Sequence, residues 1–128
     1  MASIFTKIIH RELPAYIIDE NERFIAFLDI NPLRLGHTLV VPKIEVDYIF
    51  DLSEKDYSDL FSFANRIAKK IKQNVDCNRI GMSVVGLEVP HAHIHLIPIN
   101  EISDMNFEKK RREYSDFEFL SLLERLKK

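Results

Sequence analysis

The run Pro90-His91-Ala92-His93-Ile94-His95-Leu96-Ile97-Pro98 contains three of the chain's five histidines, at alternate positions. Side chains of a β-strand alternate between the two faces of a sheet, so the spacing predicts a strand over 89–99 with all three imidazoles on one face. Ala92, Ile94 and Leu96 then point to the opposite face and into the core. Packing alone does not require a strand with one apolar face and one face made of imidazoles, so the run indicates a functional site.

The composition is that of a single globular domain. The chain has 128 residues, 46% hydrophobic and 30% charged, with a formal net charge of −2. This length suits one hydrophobic core. A charge so close to zero gives no general attraction to nucleic acid or to an anionic membrane. The basic run at 109–112, Lys-Lys-Arg-Arg, is interpreted as a solvated surface segment, with contact to a polyanion as the less favoured alternative.

Cysteine content and hydropathy favour a cytoplasmic protein. Cys77 is the single cysteine, so the sequence predicts neither an intrachain disulfide nor a thiolate metal cluster. The first fifteen residues lack the apolar core of a signal peptide, and no segment approaches the ~20 apolar residues that span a bilayer. No membrane partner is therefore expected.

Hydrophobic periodicity predicts an α+β domain, with an antiparallel sheet of about five strands, one long inserted helix and a C-terminal helix. Ser3 is expected to cap a short first helix, and Ser53 to open the long one in a capping box. Ser115 and Glu118 predict a capping box for the last helix. The apolar side of that helix packs on its own chain or covers an interface, and consists of Phe119, Leu122, Leu123 and Leu126.

A metal site is one interpretation of the three imidazoles. Residues two apart on a strand are about 6.6 Å apart, so the outer pair is separated by about 13 Å. Zinc holds its nitrogen ligands about 2.0–2.1 Å from one centre, which three histidines on a straight strand fit badly. A metal-binding protein is therefore the less favoured alternative.

Phosphoryl chemistry is the better interpretation. A neutral imidazole nitrogen attacks phosphorus when the other ring nitrogen gives its proton to a fixed acceptor. Flanking imidazoles can then stabilise the charge on the non-bridging oxygens. A row of three with a central nucleophile has these elements, and we expect the imidazoles to provide a positive field without a metal.

The histidine run is similar to the signature of the histidine triad (HIT) family, His-φ-His-φ-His-φ-φ with φ apolar. Three upstream segments, 3–9, 27–32 and 36–43, resemble blocks of its Hint-like branch in the same order. The resemblance covers about residues 3–99 and implies one HIT-like domain over 1–128. A C-terminal helical extension of about 103–128 lies outside it.

The resemblance implies a role for each histidine of the site. His93 matches the nucleophile of the family motif. His91 and His95 match the flanking positions, which orient the nucleophile and contact the phosphate. His37 completes the polar network behind it.

The resemblance also implies a nucleoside pocket, in which Asp29 would accept hydrogen bonds from the ribose hydroxyls. Backbone near Glu88 and Val89 would hold the phosphoryl oxygens. The apolar wall would consist of Ile4, Phe5, Ile8, Phe27 and Ile30. Spacing alone is equally compatible with core positions for Phe5, Ile8 and Phe27.

Two positions depart from the family pattern. Leu87 lies where many members have glutamine, and Glu88 where a serine or threonine often follows. An apolar side chain cannot replace an amide hydrogen bond, and Glu88 would repel a second phosphate, which argues against dinucleoside polyphosphates as substrates.

Ser3 and Thr6 occupy the positions of the Cys-x-x-Cys pair of zinc-binding members. No metal and no cofactor are therefore expected.

Taken together, the residues predict a nucleotide hydrolase or transferase with a covalent nucleotidyl-histidine intermediate. Its substrates would be nucleoside 5′-phosphoramidates or related nucleoside monophosphate esters, with a purine nucleotide as the small-molecule partner. No nucleic acid partner is expected, and family likeness implies a homodimer that pairs two sheets edge to edge. The main alternative is a nucleotide-binding module with little hydrolysis.

Overall fold

The computed structural model describes residues 2–128. Five strands form one antiparallel sheet in the order β1-β2-β3-β5-β4. The strands are β1 (Ile17–Glu20), β2 (Phe24–Leu28), β3 (Thr38–Pro42), β4 (Arg79–Ser83) and β5 (Ile94–Ile99). The helices are α1 (Ile4–Ile9), α2 (Glu54–Asn74) and α3 (Asp116–Leu126). The α+β prediction is confirmed.

Local signals in the sequence start each helix. The Ser3 side chain accepts a hydrogen bond from the Thr6 amide at the start of α1. The Ser53 side chain accepts one from the Asp56 amide at the start of α2, but the reciprocal bond that would complete a capping box is not formed there. Ser115 and Glu118 form the complete capping box of α3. These contacts satisfy amides that have no partner within the helix.

One face of the sheet packs against α2 and α3. The inner side of α2 buries residues at the three- and four-residue spacing of one helix face, namely Leu60, Phe63, Ala64, Ile67 and Ile71. From α3, the buried side chains Phe119, Leu122 and Leu126 join the same core, with Leu123 at its margin. The apolar side of the last helix therefore packs on its own chain.

The opposite face is covered by the short helix α1. In the strand register, Phe27 lies opposite Leu39, and Leu39 lies opposite His95, so these three share a row across that face. Phe5 and Ile8 of α1 pack against this face.

The predicted histidine strand over 89–99 is wrong at its start, because β5 begins at Ile94. Its neighbour β4 ends at Ser83, which lies opposite His95, so β4 has no residue to pair with the chain before that point. The alternation of faces nevertheless continues: Ala92 is buried in the core beneath α2, while His91 and His93 pack against Phe5. The predicted separation of imidazoles from apolar residues is therefore confirmed.

Within residues 2–128, none of the helices combines the length and apolarity needed to cross a bilayer.

Candidate active site

A cavity of about 410 Å³ opens between α1, the connection from β2 to β3, and the segment at 88–89. His93 and His95 form part of its wall. The structure also brings all eight residues of the expected nucleotide pocket to this wall: Ile4, Phe5, Ile8, Phe27, Asp29, Ile30, Glu88 and Val89. Phe5, Ile8 and Phe27 are at the same time members of the buried cluster on this face, so they are core residues that also line the cavity.

His93 has a defined tautomer. Its Nδ1 lies 2.7 Å from the carbonyl oxygen of His91. Because a carbonyl only accepts, Nδ1 donates and Nε2 carries the lone pair. Burial lowers the pKa of His93 below its ordinary value, which keeps the ring neutral at neutral pH. The ring of Phe5 contacts it nearly edge-on at 4.9 Å between centroids.

A relay of hydrogen bonds sets the tautomer of His95. The Leu33 amide donates to Nδ1 of His37 at 3.1 Å. The proton of neutral His37 is therefore on Nε2, which donates to Nδ1 of His95 at 2.9 Å. His95 then carries its own proton on Nε2, the remaining ring nitrogen. Gly36, at φ +106°, makes the turn that places His37 here.

Both histidines of this relay are neutral. Burial, reinforced by the neighbouring imidazole, lowers the pKa of His37 to about 3. Burial and the neighbouring His93 lower the pKa of His95 to about 3 as well. The expectation that the imidazoles provide a positive field is therefore wrong: they offer N–H donors and lone pairs instead.

His91 lies behind the cavity rather than in its wall. It is fully buried. Its Nε2 donates to the carbonyl of Pro42 at 2.8 Å, and its Nδ1 accepts from the Ser3 hydroxyl at 2.7 Å. With both ring nitrogens occupied, His91 does not reach a phosphate in this geometry, contrary to expectation. Its backbone carbonyl is what orients His93.

A hydrogen-bond network occupies the positions where zinc-binding members have cysteines. Glu45 accepts from the Ser3 amide at 2.7 Å and from the Thr6 hydroxyl at 2.6 Å. These bonds lower the pKa of Glu45 to about 2. Sequence reasoning identified Ser3 and Thr6 but missed Glu45, because its contact with them spans about forty residues of chain.

Asp29 lies in the cavity wall beside the relay. One carboxylate oxygen accepts from the Asn31 amide at 2.9 Å, and the other lies 3.6 Å from Nε2 of His37. Burial raises the pKa of Asp29 above its ordinary value, against the opposing effect of the Asn31 hydrogen bond. Asp29 therefore has lone pairs to offer a ligand hydroxyl at the polar end of an otherwise apolar cavity.

The C-terminal segment completes the surroundings of His95, which the sequence did not predict. The ring of Phe107 packs against His95 at 4.7 Å between centroids. Arg111 lies over Phe107 at 5.8 Å and donates to the Asn31 carbonyl at 2.9 Å. Its other terminal nitrogen is 3.4 Å from Glu88. A further cavity of about 300 Å³ adjoins His93 and His95 between 85–88 and 107–108.

Asp29, His37 and His95 are the group with metal-ligand spacing in the described part of the chain, with one ligand atom of each within 4.8 Å of the others. The grouping differs from the triad considered from sequence, since it draws on three separate segments. The His37–His95 hydrogen bond already uses two of these nitrogens, so a metal ion here would have to displace it.

The fold and the site together define a class of protein. It is an antiparallel α+β domain with histidines at alternate positions, oriented by hydrogen bonds, at the polar end of an apolar cavity. The HIT domain family matches residues 10–102. This chain belongs to the HIT family, which confirms the resemblance identified from the sequence.

Individual relatives agree with this assignment. The chain is 33% identical to a HIT-like protein of Borreliella burgdorferi, over 93% of both chains. It is 36% identical to the adenosine 5′-monophosphoramidase of Saccharomyces cerevisiae, over 76% of this chain and 62% of that one. The crystal structure of a histidine triad nucleotide-binding protein from Sulfolobus tokodaii superposes with a TM-score of 0.82 at 29% identity, covering 96% of this chain and 88% of that one.

Proposed function

We propose that this protein is a nucleotide hydrolase or transferase that acts on nucleoside 5′-phosphoramidates or related nucleoside monophosphate esters. The observation that carries the proposal is the tautomer of His93: its Nδ1 proton is held by the His91 carbonyl, which leaves Nε2 as an unprotonated nucleophile in the cavity wall. Family membership and the yeast relative named as a phosphoramidase support the reaction class.

In the first step, Nε2 of His93 attacks the α-phosphorus, a phosphorus–nitrogen bond to the ring forms, and the bond to the leaving amine or alcohol breaks. The departing group takes up a proton from solvent, and an equivalent proton returns to solvent when water attacks in the second step. The ring becomes cationic, and its Nδ1–H then makes a stronger, charge-assisted bond to the His91 carbonyl. Water next attacks phosphorus, the bond to Nε2 breaks, and the nucleoside monophosphate leaves.

His95 would act through its Nε2–H, which the relay from Leu33 through His37 leaves free to donate. A donor fixed beside the nucleophile stabilises charge that develops on a phosphoryl oxygen without reorganisation during the reaction. His37 would be a positioning residue for His95. His91 would be one for His93, acting through its carbonyl.

The cavity supports a nucleoside as the bound group. Its volume lies within the range of small-molecule sites, and its apolar wall ends at the half-buried carboxylate of Asp29. We place a purine base between Ile4 and Ile30, which are 53% and 69% exposed at the rim, and the ribose hydroxyls on Asp29.

A nucleotide-binding module with little hydrolysis is the second candidate. Leu87 is 89% exposed beside the cavity near His95 and offers no hydrogen bond there. Glu88 adds negative charge on the same side. Both features disfavour a leaving group that carries further phosphates.

A homodimer through the edges of two sheets is the proposed assembly. Strand β4 is a free edge of the sheet within the described chain, and exposed apolar side chains cluster near it, among them Met82, Val85 and Phe50. An unpaired apolar edge is a template for a second strand. Sedimentation of wild type and Met82→Glu would test this, with a monomeric wild type contradicting it. The buried free cysteine, Cys77, supports a cytoplasmic location.

The decisive experiment measures AMP release from adenosine 5′-phosphoramidate in EDTA. We expect His93→Ala to lose about 10³-fold or more in kcat, and His10→Ala, at an exposed histidine that does not line the cavity, to keep wild-type activity. Intact-mass spectrometry of quenched wild type should detect the nucleotidyl adduct, and His93→Ala should lack it. A folded wild type that binds AMP but shows no turnover would overturn the proposal of an enzyme and favour the nucleotide-binding module. Activity that EDTA abolishes would favour a metal site.

A further inference from the structure

A basic cavity lies on the far side of the 31–36 loop from the HIT site. It has a volume of about 250 Å³ and shares no lining residue with the 410 Å³ cavity. Its lining contains four cations and one acid: Arg34, Lys109, Lys110, Arg112 and Asp104, with Leu33 as the apolar member. Three of the cations belong to the basic run that the sequence left as a surface segment.

Arg34 lines this cavity and also carries a buried donor that the protein does not use. Its Nη2 donates to the Asp76 carbonyl at 2.6 Å. Its Nη1 is buried and has no hydrogen-bond partner anywhere in residues 2–128. A guanidinium nitrogen has no acceptor capacity, so it is satisfied only by an acceptor. A buried donor without one is costly, so a turn of the Arg34 side chain that brings this nitrogen to an acceptor in the cavity would relieve the cost.

The other charges of the cavity are only partly compensated by the protein, since Lys109 and Arg34 both help to lower the pKa of Asp104, after its two backbone hydrogen bonds. Across residues 2–128, no ion pair within 4.0 Å involves Lys109, Lys110 or Arg112. The single carboxylate is Asp104, and one of its two oxygens accepts from the backbone amides of Asn100 and Glu101 at 2.7 and 3.0 Å. Four cations therefore face one engaged carboxylate.

Backbone contacts hold the two sides of the basic cavity in place. The Arg112 amide donates to the Pro32 carbonyl at 3.1 Å, and the Lys109 amide donates to the Asn106 carbonyl at 3.1 Å. The first of these bonds joins the two backbone segments that carry the cations, which are about seventy-five residues apart in the sequence.

We propose that the basic cavity binds a small phosphate-bearing anion, with Arg34, Lys109 and Lys110 as its principal contacts. A tetrahedral phosphoryl group offers several acceptor oxygens that match a guanidinium fork and two ammonium groups. The volume suits one or two phosphoryl groups rather than a helix of nucleic acid. An anion there bridges the loop that positions His37 and the segment that carries Phe107 and Arg111, so its binding would fasten that segment over His95. The proposal stands independently of the nucleotide reaction.

The test follows backbone amide NMR shifts of the full chain during titration with inorganic pyrophosphate at constant ionic strength, with sulfate as a second anion. We expect saturable shifts at 33–35 and 109–112, with pyrophosphate binding more tightly than sulfate. The variant K109Q/K110Q changes exposed residues only and should weaken binding about tenfold or more. Arg34→Gln should weaken it further, although its anchor on Asp76 makes the lysine pair the safer test.

The matched control is K69Q/K72Q, which removes the same charge from an open depression of about 310 Å³ on α2. It should bind pyrophosphate as wild type does. If both double variants lose pyrophosphate affinity equally, the binding is general electrostatic attraction, and the proposal of a specific site is overturned. Shifts confined to the surroundings of His93 and His95, or none at about 10 mM pyrophosphate, would overturn it too. ADP run in parallel separates nucleotide-borne from free phosphate, because a nucleotide acting here must shift the same amides.

Discussion

The two faces of the sheet bury side chains to similar depth by different means. Beneath α2 and α3 the packed side chains are apolar. The buried polar exception there is Thr38, whose hydroxyl donates to the Gly36 carbonyl. Beneath α1 the same sheet buries four imidazoles, and each makes at least one hydrogen bond.

Within residues 2–128, the difference explains why the candidate site lies on the α1 face. Apolar burial is non-directional, so any well-packed neighbour stabilises the α2 face. Each buried imidazole instead requires a partner of the correct polarity, which fixes the tautomer of its ring. Helix α1 has only six residues and leaves part of its face uncovered, and the 410 Å³ cavity occupies that space.

The largest expected effect tests the apolar face. Leu60 of α2 is fully buried, so Leu60→Ala should lower the free energy of unfolding by about 3–4 kcal/mol through lost burial and a residual cavity. Urea denaturation measures this. Leu120→Ala, on the exposed side of α3, should change it little. The turnover per folded molecule should stay the same in both, and a selective loss of activity in Leu60→Ala would contradict the separation of the two faces.

The second effect belongs to the imidazole face and depends on pH. His37 and His95 have pKa values of about 3 in the folded chain against about 6.5 when unfolded. Below pH 6.5 the unfolded state therefore binds more protons, and stability falls as pH decreases towards 3, with no contribution from this pair well above 6.5. One proton on this pair is worth about 2 kcal/mol at pH 5.

Urea denaturation at pH 7.5 and pH 5.0 measures that loss. His37→Gln should reduce the difference between the two pH values, while His10→Gln, at an exposed position, should retain it. The comparison stops at pH 5 because burial raises the pKa of Asp29, which acts in the opposite sense at lower pH. An identical pH dependence in His37→Gln would mean that this pair does not govern acid stability.

The smallest effect is the difference in stability between the losses of two helix caps, one on each face. Ser53→Ala removes only the cap of α2 and should cost about 1 kcal/mol. Ser3→Ala removes the cap of α1 and also the donor to Nδ1 of buried His91, which should add about 1–2 kcal/mol. It should also reduce kcat, because the shifted His91 carbonyl orients His93 less well. Equal losses of stability would show that the Ser3–His91 bond contributes nothing beyond the cap.

Much of the site could be predicted because its signals are local or carried by the family pattern. The alternation of His91, His93 and His95 assigned them to the correct face, although the strand itself starts only at Ile94. The ordered segments 3–9, 27–32 and 36–43 led to the pocket residues, which line one cavity. Phe107 and Arg111 were missed because they lie outside the family match, in a segment whose charge pattern is that of ordinary surface.

The amino-acid sequence alone specified the helix caps, the two-faced histidine run and the family, since these depend on residues a few positions apart or on a recognisable pattern. The tertiary structure alone decided the tautomer of each buried imidazole. Those choices depend on the Leu33 amide, the Pro42 carbonyl and the Ser3 hydroxyl, the last of which meets His91 across 88 residues. The same holds for the basic cavity, where Arg34 meets Lys109 and Lys110 only once the chain has folded, because hydrogen bonds and charges act through space and not along the sequence.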